Sequence, residues 1–452
     1  MELTYEQLVK ALGGEVIVDN GCHDFTEACI DNRKITKNCI FFAIKGERFN
    51  ANDVAVEALE KGASIAVVDE VNFDIKDAEG KGVIIKVDKT VKALMRLANF
   101  YRNSLDIKVI GVTGSTGKTS TKDLIAALLS EKYKVFKTKG NFNSEIGLPL
   151  MILQMDKSYD IAVLEMGMSD LGEIRNLAET ARPDMAAITN IGLSHLENLK
   201  TQENILKAKM EIVEFFGSDN VLVVNGEDDK LKNIESTSYK VKKIGYNHEY
   251  DVYASNIILR EDETEFTAHL GSREKTFKLP MAGKHNVLNG MLAIALADGL
   301  GVTLDQMTAG VKNLEATSMR LQVIKKDNIT IINDCYNASP DSMKSSLDVL
   351  NTYTEGRKVA ILGDMYELGT KSSEAHTEIG AYAGTKSDLL VAVGENIENF
   401  AAGFGGNEIK TYKSKQECID DLKKVISKGD IVLVKASRGM KFEDIVDALN
   451  KI

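Results

Sequence analysis

What this 452-residue chain has little of removes several classes of answer at once. Cysteine occurs five times, at 22, 29, 39, 335 and 418, an odd number with no CxxC spacing. That usage suits reduced thiols in a cytoplasmic protein better than a disulfide framework. No apolar run approaches the ~18 residues of a membrane span, and the opening MELTYEQLVKALGG has neither a basic stretch nor an apolar core, so neither export nor membrane insertion is expected. Low-complexity segments and short repeats are lacking. Positive charge is also short: the formal balance is −11, which argues against a general nucleic-acid binder while leaving room for a local basic cleft around a small anion.

What is present reads as folded α/β protein. The length suits about three domains, and the 44% hydrophobic content is ordinary for a globular chain. Thr4 and Gln7 fit a capping box for a first helix that Gly13-Gly14 stops. CIFFAI (39–44), SIAVVD (64–69) and VIIKV (83–87) read as strands, with a helical stretch near 53–61 and a helix over ALMRLANFYR. From 107, buried-type strands alternate with helices: KVIGV, IAVLEM (161–166), MAAIT (185–189) and VLVVN (221–225). Such alternation implies a parallel sheet covered on both faces. Residues 240–280 read as an antiparallel addition, and MLAIALADGLG (291–301) as helix. ITIIND (329–334), KVAILGDM (358–365), LLVAVGE (389–395) and IVLVKAS (431–437) start a further βα-repeated unit. The fold class is therefore α/β in three domains. These are a small mixed α/β N-terminal domain (1–106), a central P-loop-type parallel-sheet ATPase domain (107–316) and a C-terminal Rossmann-like domain (317–452).

The most telling segment is GVTGSTGKTS (111–120), between a strand and a helix pattern that starts near Lys122. Strand, glycine-rich turn and helix N-terminus form a phosphate cradle. Its backbone N–H groups point inward over Gly114, Ser115, Thr116, Gly117 and Ser120, Lys118 brings a point charge, and Thr119 offers a hydroxyl to Mg²⁺. ATP is the expected ligand. The strict motif would have glycine where Val112 stands; a surface turn is the plain alternative.

Strands ending at Glu165 and near Asn190 and His195 should finish beside this cradle, because ligands of open α/β sheets bind at the carboxyl ends of strands. A carboxylate and an imidazole there can hold Mg²⁺; singly, each also reads as an ordinary loop residue. Spacing alone makes Lys207 and Lys209 solvated helix residues, His285 and Asn286 helix caps, and Arg320 an exposed arginine. NDCYNASPDSM (333–343), with Asp334, Tyr336, Asn337 and Asp341, reads either as a binding loop or as a plain turn.

Taken together, TGSTGKTS, KGNFNSEIGLP (139–149), LEMG, ITNIGLSHLE, AKMEI, GKHN, MRLQ and DCYNASPDSM resemble, in order and over nearly the whole chain, the Mur ligases of peptidoglycan synthesis. The family loop is TGxxGKT, which accommodates Val112. DNRKITKNCIFFAIKGERFN (31–50) is similar to the family's uridine-nucleotide segment, with Asn32 and Asn50-Ala51-Asn52 departing from its usual residues. Ser144 and Ser339 stand where asparagine is common. LGDMYELG (362–369) with His376 resembles the member that adds a dipeptide. The four prolines follow Leu148, Arg182, Leu279 and Ser339, so the Asp-Asn-Pro-Arg motif of the sister that adds the third amino acid is missing.

The resemblance implies an ATP-dependent, ADP-forming ligase that joins D-alanyl-D-alanine to the terminal carboxylate of a UDP-N-acetylmuramoyl-tripeptide through an acyl phosphate. It implies catalytic roles for Lys118, Glu165, His195 and Lys209, with Thr119, Glu165, His195 and a carbamylated Lys209 holding Mg²⁺. Asn286, Arg320 and Asp334 are expected around ATP, and Asn32, Arg33, Asn141, Asn143 and Asn337 around substrate. A monomer is expected. The alternatives are a folylpolyglutamate synthase-like ligase and a catalytically dead nucleotide-binding protein.

Overall fold

The computed structural model describes residues 1–315, 318–406 and 408–452. The described residues form three sheets. The expected junction at 316/317 lies outside them.

The first sheet holds β1 (Glu15–Val18), β2 (Ala28–Cys29), β3 (Ile40–Phe42), β4 (Ile65–Val68) and β5 (Val83–Lys86), in the order β1-β5-β4-β3-β2. Only β1 runs antiparallel. The leading helix Tyr5–Leu12 has the expected capping box and ends on Gly13 in a left-handed turn.

The second sheet contains β6 (Lys108–Thr113), β7 (Val135–Lys137), β8 (Ile161–Glu165), β9 (Met185–Ile188), β10 (Val221–Asn225), β11 (Lys240–Gly245), β12 (Val252–Leu259), β13 (Thr264–Leu270) and β14 (Arg273–Leu279). Their order is β14-β13-β12-β11-β10-β9-β6-β8-β7. The antiparallel addition is shorter than expected: β11 and β12 still pair parallel, and only the β12–β13 and β13–β14 pairings are antiparallel. The helix Lys118–Leu129 packs against the helix His285–Gly299, which is largely apolar and buried. Ile294 and Leu296 of the latter are fully buried, each contributing about 1.5–3 kcal/mol of burial.

The third sheet comprises β15 (Gln322–Lys325), β16 (Thr330–Asn333), β17 (Lys358–Gly363), β18 (Leu389–Val393), β19 (Glu408–Tyr412) and β20 (Ile431–Lys435), ordered β15-β16-β20-β17-β18-β19. All but the β15 pairing are parallel.

The joints between these units differ. One apolar cluster runs from Leu8 and Leu97 through Leu164 to Val224, so the first two sheets share a core. Within it the helix Thr90–Asn103 is tied across by Tyr101 Oη to Met155 O at 2.7 Å and Arg102 Nε to Ala181 O at 2.7 Å. The third sheet has separate apolar clusters on its two faces.

Candidate active site

β6 is buried along almost its whole length and lies between β8 and β9. The chain leaves β6 toward β7 and β8 on one side and then crosses to β9 on the other, so a crevice opens at the carboxyl end of β6. The glycine loop sits there. Gly114 has φ 149°, and a Cβ on it would lie 1.8 Å from Thr189 Oγ1, so only glycine fits. Asn190 braces the loop: Thr116 N–H donates to Asn190 Oδ1 at 2.9 Å, Ser115 N–H to Asn190 O at 3.0 Å, and Asn190 Nδ2 to Thr116 Oγ1 at 2.6 Å. The helix begins at Lys118, four residues earlier than its apolar pattern suggests, because the loop rather than the pattern sets its start. No side chain caps this end, which leaves first-turn N–H groups free for an anion.

Lys118 Nζ donates to Gly114 O at 2.8 Å. Burial lowers its pKa, nearby Glu165 opposes the shift, and Arg320 adds to it. Thr119 Oγ1 donates to Glu165 Oε2 at 2.9 Å, and Asn143 Nδ2 to Glu165 Oε1 at 2.8 Å. Asn143, expected to face substrate, lines the cleft and holds this carboxylate. Glu165 is buried at the end of β8.

Lys209 corrects the reading from spacing. It is 2% exposed, whereas Lys207 is solvated. Among the described residues Lys209 Nζ has no hydrogen bond or ion pair. Burial first, and then the charge of Lys118, drive its pKa well below the ordinary 10.5. His195 adopts φ 62° and presents Nδ1 2.6 Å from Glu367 Oε2 of the third unit, close enough for an ion pair but off the line of a hydrogen bond. The imidazole holds the Glu367 carboxyl below its usual range.

A cleft of about 1080 Å³ joins the cradle, Glu165 and His195 to the third unit; Lys209 is not among the residues that line it. Its walls include the cradle, Glu165, His195, Asn286, Arg320, Asp334 and Asn337. His285 and Asn286 do not cap their helix: Lys284 is the N-cap, without a side-chain bond. Asn286 Nδ2 donates to Ala282 O at 2.7 Å, and Asn289 Nδ2 to Asn286 Oδ1 at 3.0 Å. Asn289 went unnoticed in the sequence, although a second asparagine three residues along an apolar helix marks one polar face. Burial pushes His285 down to about 4. Arg320 is part-buried rather than exposed, with Cζ 4.2 Å from the Tyr336 ring centre. The Asp334 carboxylate accepts from Lys435 Nζ at 2.5 Å, Ser346 Oγ at 2.6 Å and Leu321 N–H at 3.1 Å.

Asn32, Arg33 and Asn141 do not line this cleft. Arg33 is exposed and paired with Asp31 at 2.8 Å, Asn32 O accepts from Lys61, and Asn141 O accepts from Asn143 N–H. The Asn50-Ala51-Asn52 departure is a built turn: Asn52 is buried, donates to Asp69 Oδ1 at 2.8 Å and accepts from Asp69 N–H at 3.1 Å.

Among the described residues no three His, Cys, Asp or Glu side chains form a metal cage. Two oxygens 2.9 Å apart beside a phosphate cradle, Thr119 Oγ1 and Glu165 Oε2, nevertheless suit Mg²⁺, which takes few protein ligands and keeps phosphate oxygens and water.

Fold and site together define a multidomain phosphate-loop enzyme whose nucleotide cleft is walled by a second α/β unit. Residues 112–297 match the Mur ligase middle domain, and 319–438 match the Mur ligase, glutamate ligase domain. The UDP-N-acetylmuramoyl-tripeptide--D-alanyl-D-alanine ligase of Bacillus subtilis (strain 168) is 41% identical over 93% of this chain and 92% of its own length. The crystal structure of MurF from Acinetobacter baumannii superposes with a TM-score of 0.92 at 29% identity, covering 99% of each chain. MurF ligase from Thermotoga maritima in complex with ADP gives 0.84 at 31% identity, over 94% of this chain and 97% of that one. The chain belongs to the Mur ligase family.

Proposed function

We propose that this chain is the ATP-dependent ligase that joins D-alanyl-D-alanine to the terminal carboxylate of a UDP-N-acetylmuramoyl-tripeptide in peptidoglycan synthesis. The observation that carries the reading is part-buried Lys118 beside buried Thr119 and Glu165 at the cradle, facing the third unit across one cleft. We assign 1–106 to the UDP-muramoyl substrate, with Asn32 and Arg33 in contact, 107–316 to ATP, and 317–452 to closing the cleft. Asn286, Arg320 and Asp334 contact the nucleotide, and Asn337 and Asn141 lie on the substrate's path. The compartment is the cytoplasm and the working unit a monomer.

A carboxylate oxygen of the tripeptide attacks the γ-phosphorus of ATP; the bond to the β,γ-bridging oxygen breaks, giving acyl phosphate and ADP. The dipeptide amine then attacks the acyl carbon, phosphate leaves, and the amine gives up a proton. Both reacting groups in the first step are anions, so Lys118 and the helix N-terminus act by position and charge, and no protein nucleophile is required. Thr119, Glu165, His195 and Lys209 would hold Mg²⁺, which neutralises phosphate charge when bound. The Lys209 amine, buried and unpartnered, suits addition to CO₂, forming N–COO⁻ with loss of one proton and turning a cation into an oxygen ligand. Tripeptide labelled with ¹⁸O in its terminal carboxylate tests the first step: released phosphate carries one ¹⁸O, and unlabelled phosphate contradicts an acyl phosphate.

A further inference from the structure

Among its contacts with the central unit, the third unit holds the loop that leaves β9 and carries His195. Three contacts do this. The Asp341 carboxylate lies against Gly192, where a Cβ would come within 2.1 Å of Oδ2. The Glu367 carboxylate meets His195 Nδ1 at 2.6 Å, and Glu367 O accepts from Glu197 N–H at 2.9 Å. Both His195 and Glu367 hold left-handed φ angles, 62° and 63°, which cost non-glycine residues of order 1–3 kcal/mol unless their surroundings fix them. His195 is held by its own turn, where Asn198 and Leu199 N–H donate to its carbonyl, and by the contact with Glu367.

We propose that Glu367 is a positioning residue that orients His195 for metal binding, so that one ligand of the central site is set by a carboxylate from the third unit. The proposal rests on His195 being a Mg²⁺ ligand, as inferred above. The chemistry follows from the contact. A carboxylate oxygen 2.6 Å from Nδ1, though off the hydrogen-bond line, would set lone pair against lone pair unless that nitrogen carries the ring proton. The lone pair is then on Nε2, the nitrogen left free to bind metal. Nδ1 has no hydrogen bond among the described residues, and the ion-pair contact with Glu367 is the polar contact it makes there. Glu367 comes from a different unit than Thr119 and Glu165, so metal binding and docking of the third unit are linked: each favours the other by the same factor.

The test is a titration of the full chain with Mn²⁺ in the presence of ADP, followed by electron paramagnetic resonance. Glu367→Ala weakens Mn²⁺ binding by about ten- to a hundredfold, the usual effect of losing a carboxylate behind a metal-binding histidine. Glu367→Gln, which keeps an acceptor, recovers part of the loss. His195→Gln weakens binding at least as much, and adding Glu367→Ala to it weakens it no further, because the two act as one. Unchanged affinity in Glu367→Ala beside a loss in His195→Gln overturns the positioning role and leaves His195 as a ligand. Unchanged affinity in His195→Gln removes the ligand and the inference with it. Further weakening in the double variant also overturns the proposal, since Glu367 then acts elsewhere.

Discussion

Lys118 and Lys209 share a formal charge, and each sits where burial disfavours it. Lys118 has partners, the carbonyls of its own loop and the field of Glu165. Lys209 has none among the described residues, and Lys118 further lowers its pKa. Charges about 4 Å apart interact by about 4 kcal/mol at an effective dielectric of 20, against about 0–1 for an exposed ion pair. A change of sign at a buried position therefore outweighs most surface electrostatics. Lys209→Ala is expected to lower kcat by about a hundredfold, the cost typical of losing a group that stabilises transition-state charge. Protein equilibrated with ¹³CO₂ is expected to show a carbamate carbon signal that Lys209→Ala lacks. Full activity of Lys209→Ala at saturating Mg²⁺ contradicts the assignment. Spacing could not reveal this, because a lysine on an amphipathic helix reads the same whether its turn faces water or a sheet edge.

At the scale of elements, the loop after β17 shows how one histidine holds a segment. His376 is fully buried, accepts from Met365 N–H at Nε2 over 2.9 Å, and donates from Nδ1 to Ser372 O at 2.7 Å. That arrangement needs the neutral ring, and burial lowers its pKa below 6.5. The unfolded chain therefore binds more protons than the folded one below about pH 6.5, and stability falls as pH drops through that region. The gap in Tm between the parent and His376→Gln should narrow between pH 7.5 and 5.5; a gap that is flat or widens contradicts the neutral assignment. Elements with buried apolar runs, such as β6, β8 and β20, were legible in the sequence because both faces are covered. The edge strands β1, β2, β15 and β19 were not, since they are short and half exposed and lack such runs. Among site residues, Lys118, Thr119 and Glu165 followed from cradle logic. Asn289 and Glu367 did not stand out, because their roles depend on packing between segments far apart in sequence.

For the whole molecule, the two joints set what can move. The first two units share an apolar core, whereas the third meets the second largely through polar contacts such as His195 with Glu367 and Lys325 with Asp262 at 3.2 Å. Polar joints of this kind open more readily than apolar ones, and closing over the cleft would shield a water-sensitive acyl phosphate. Alternative partners for the same chemistry are separated by what triggers turnover. The decisive measurement is phosphate release from ATP with the UDP-muramoyl-tripeptide and D-alanyl-D-alanine, set against the same nucleotide with single amino acids and against a folate with glutamate. Release with the dipeptide, and not with the other pairs, is the predicted result; release only with a single amino acid or only with folate contradicts the assignment.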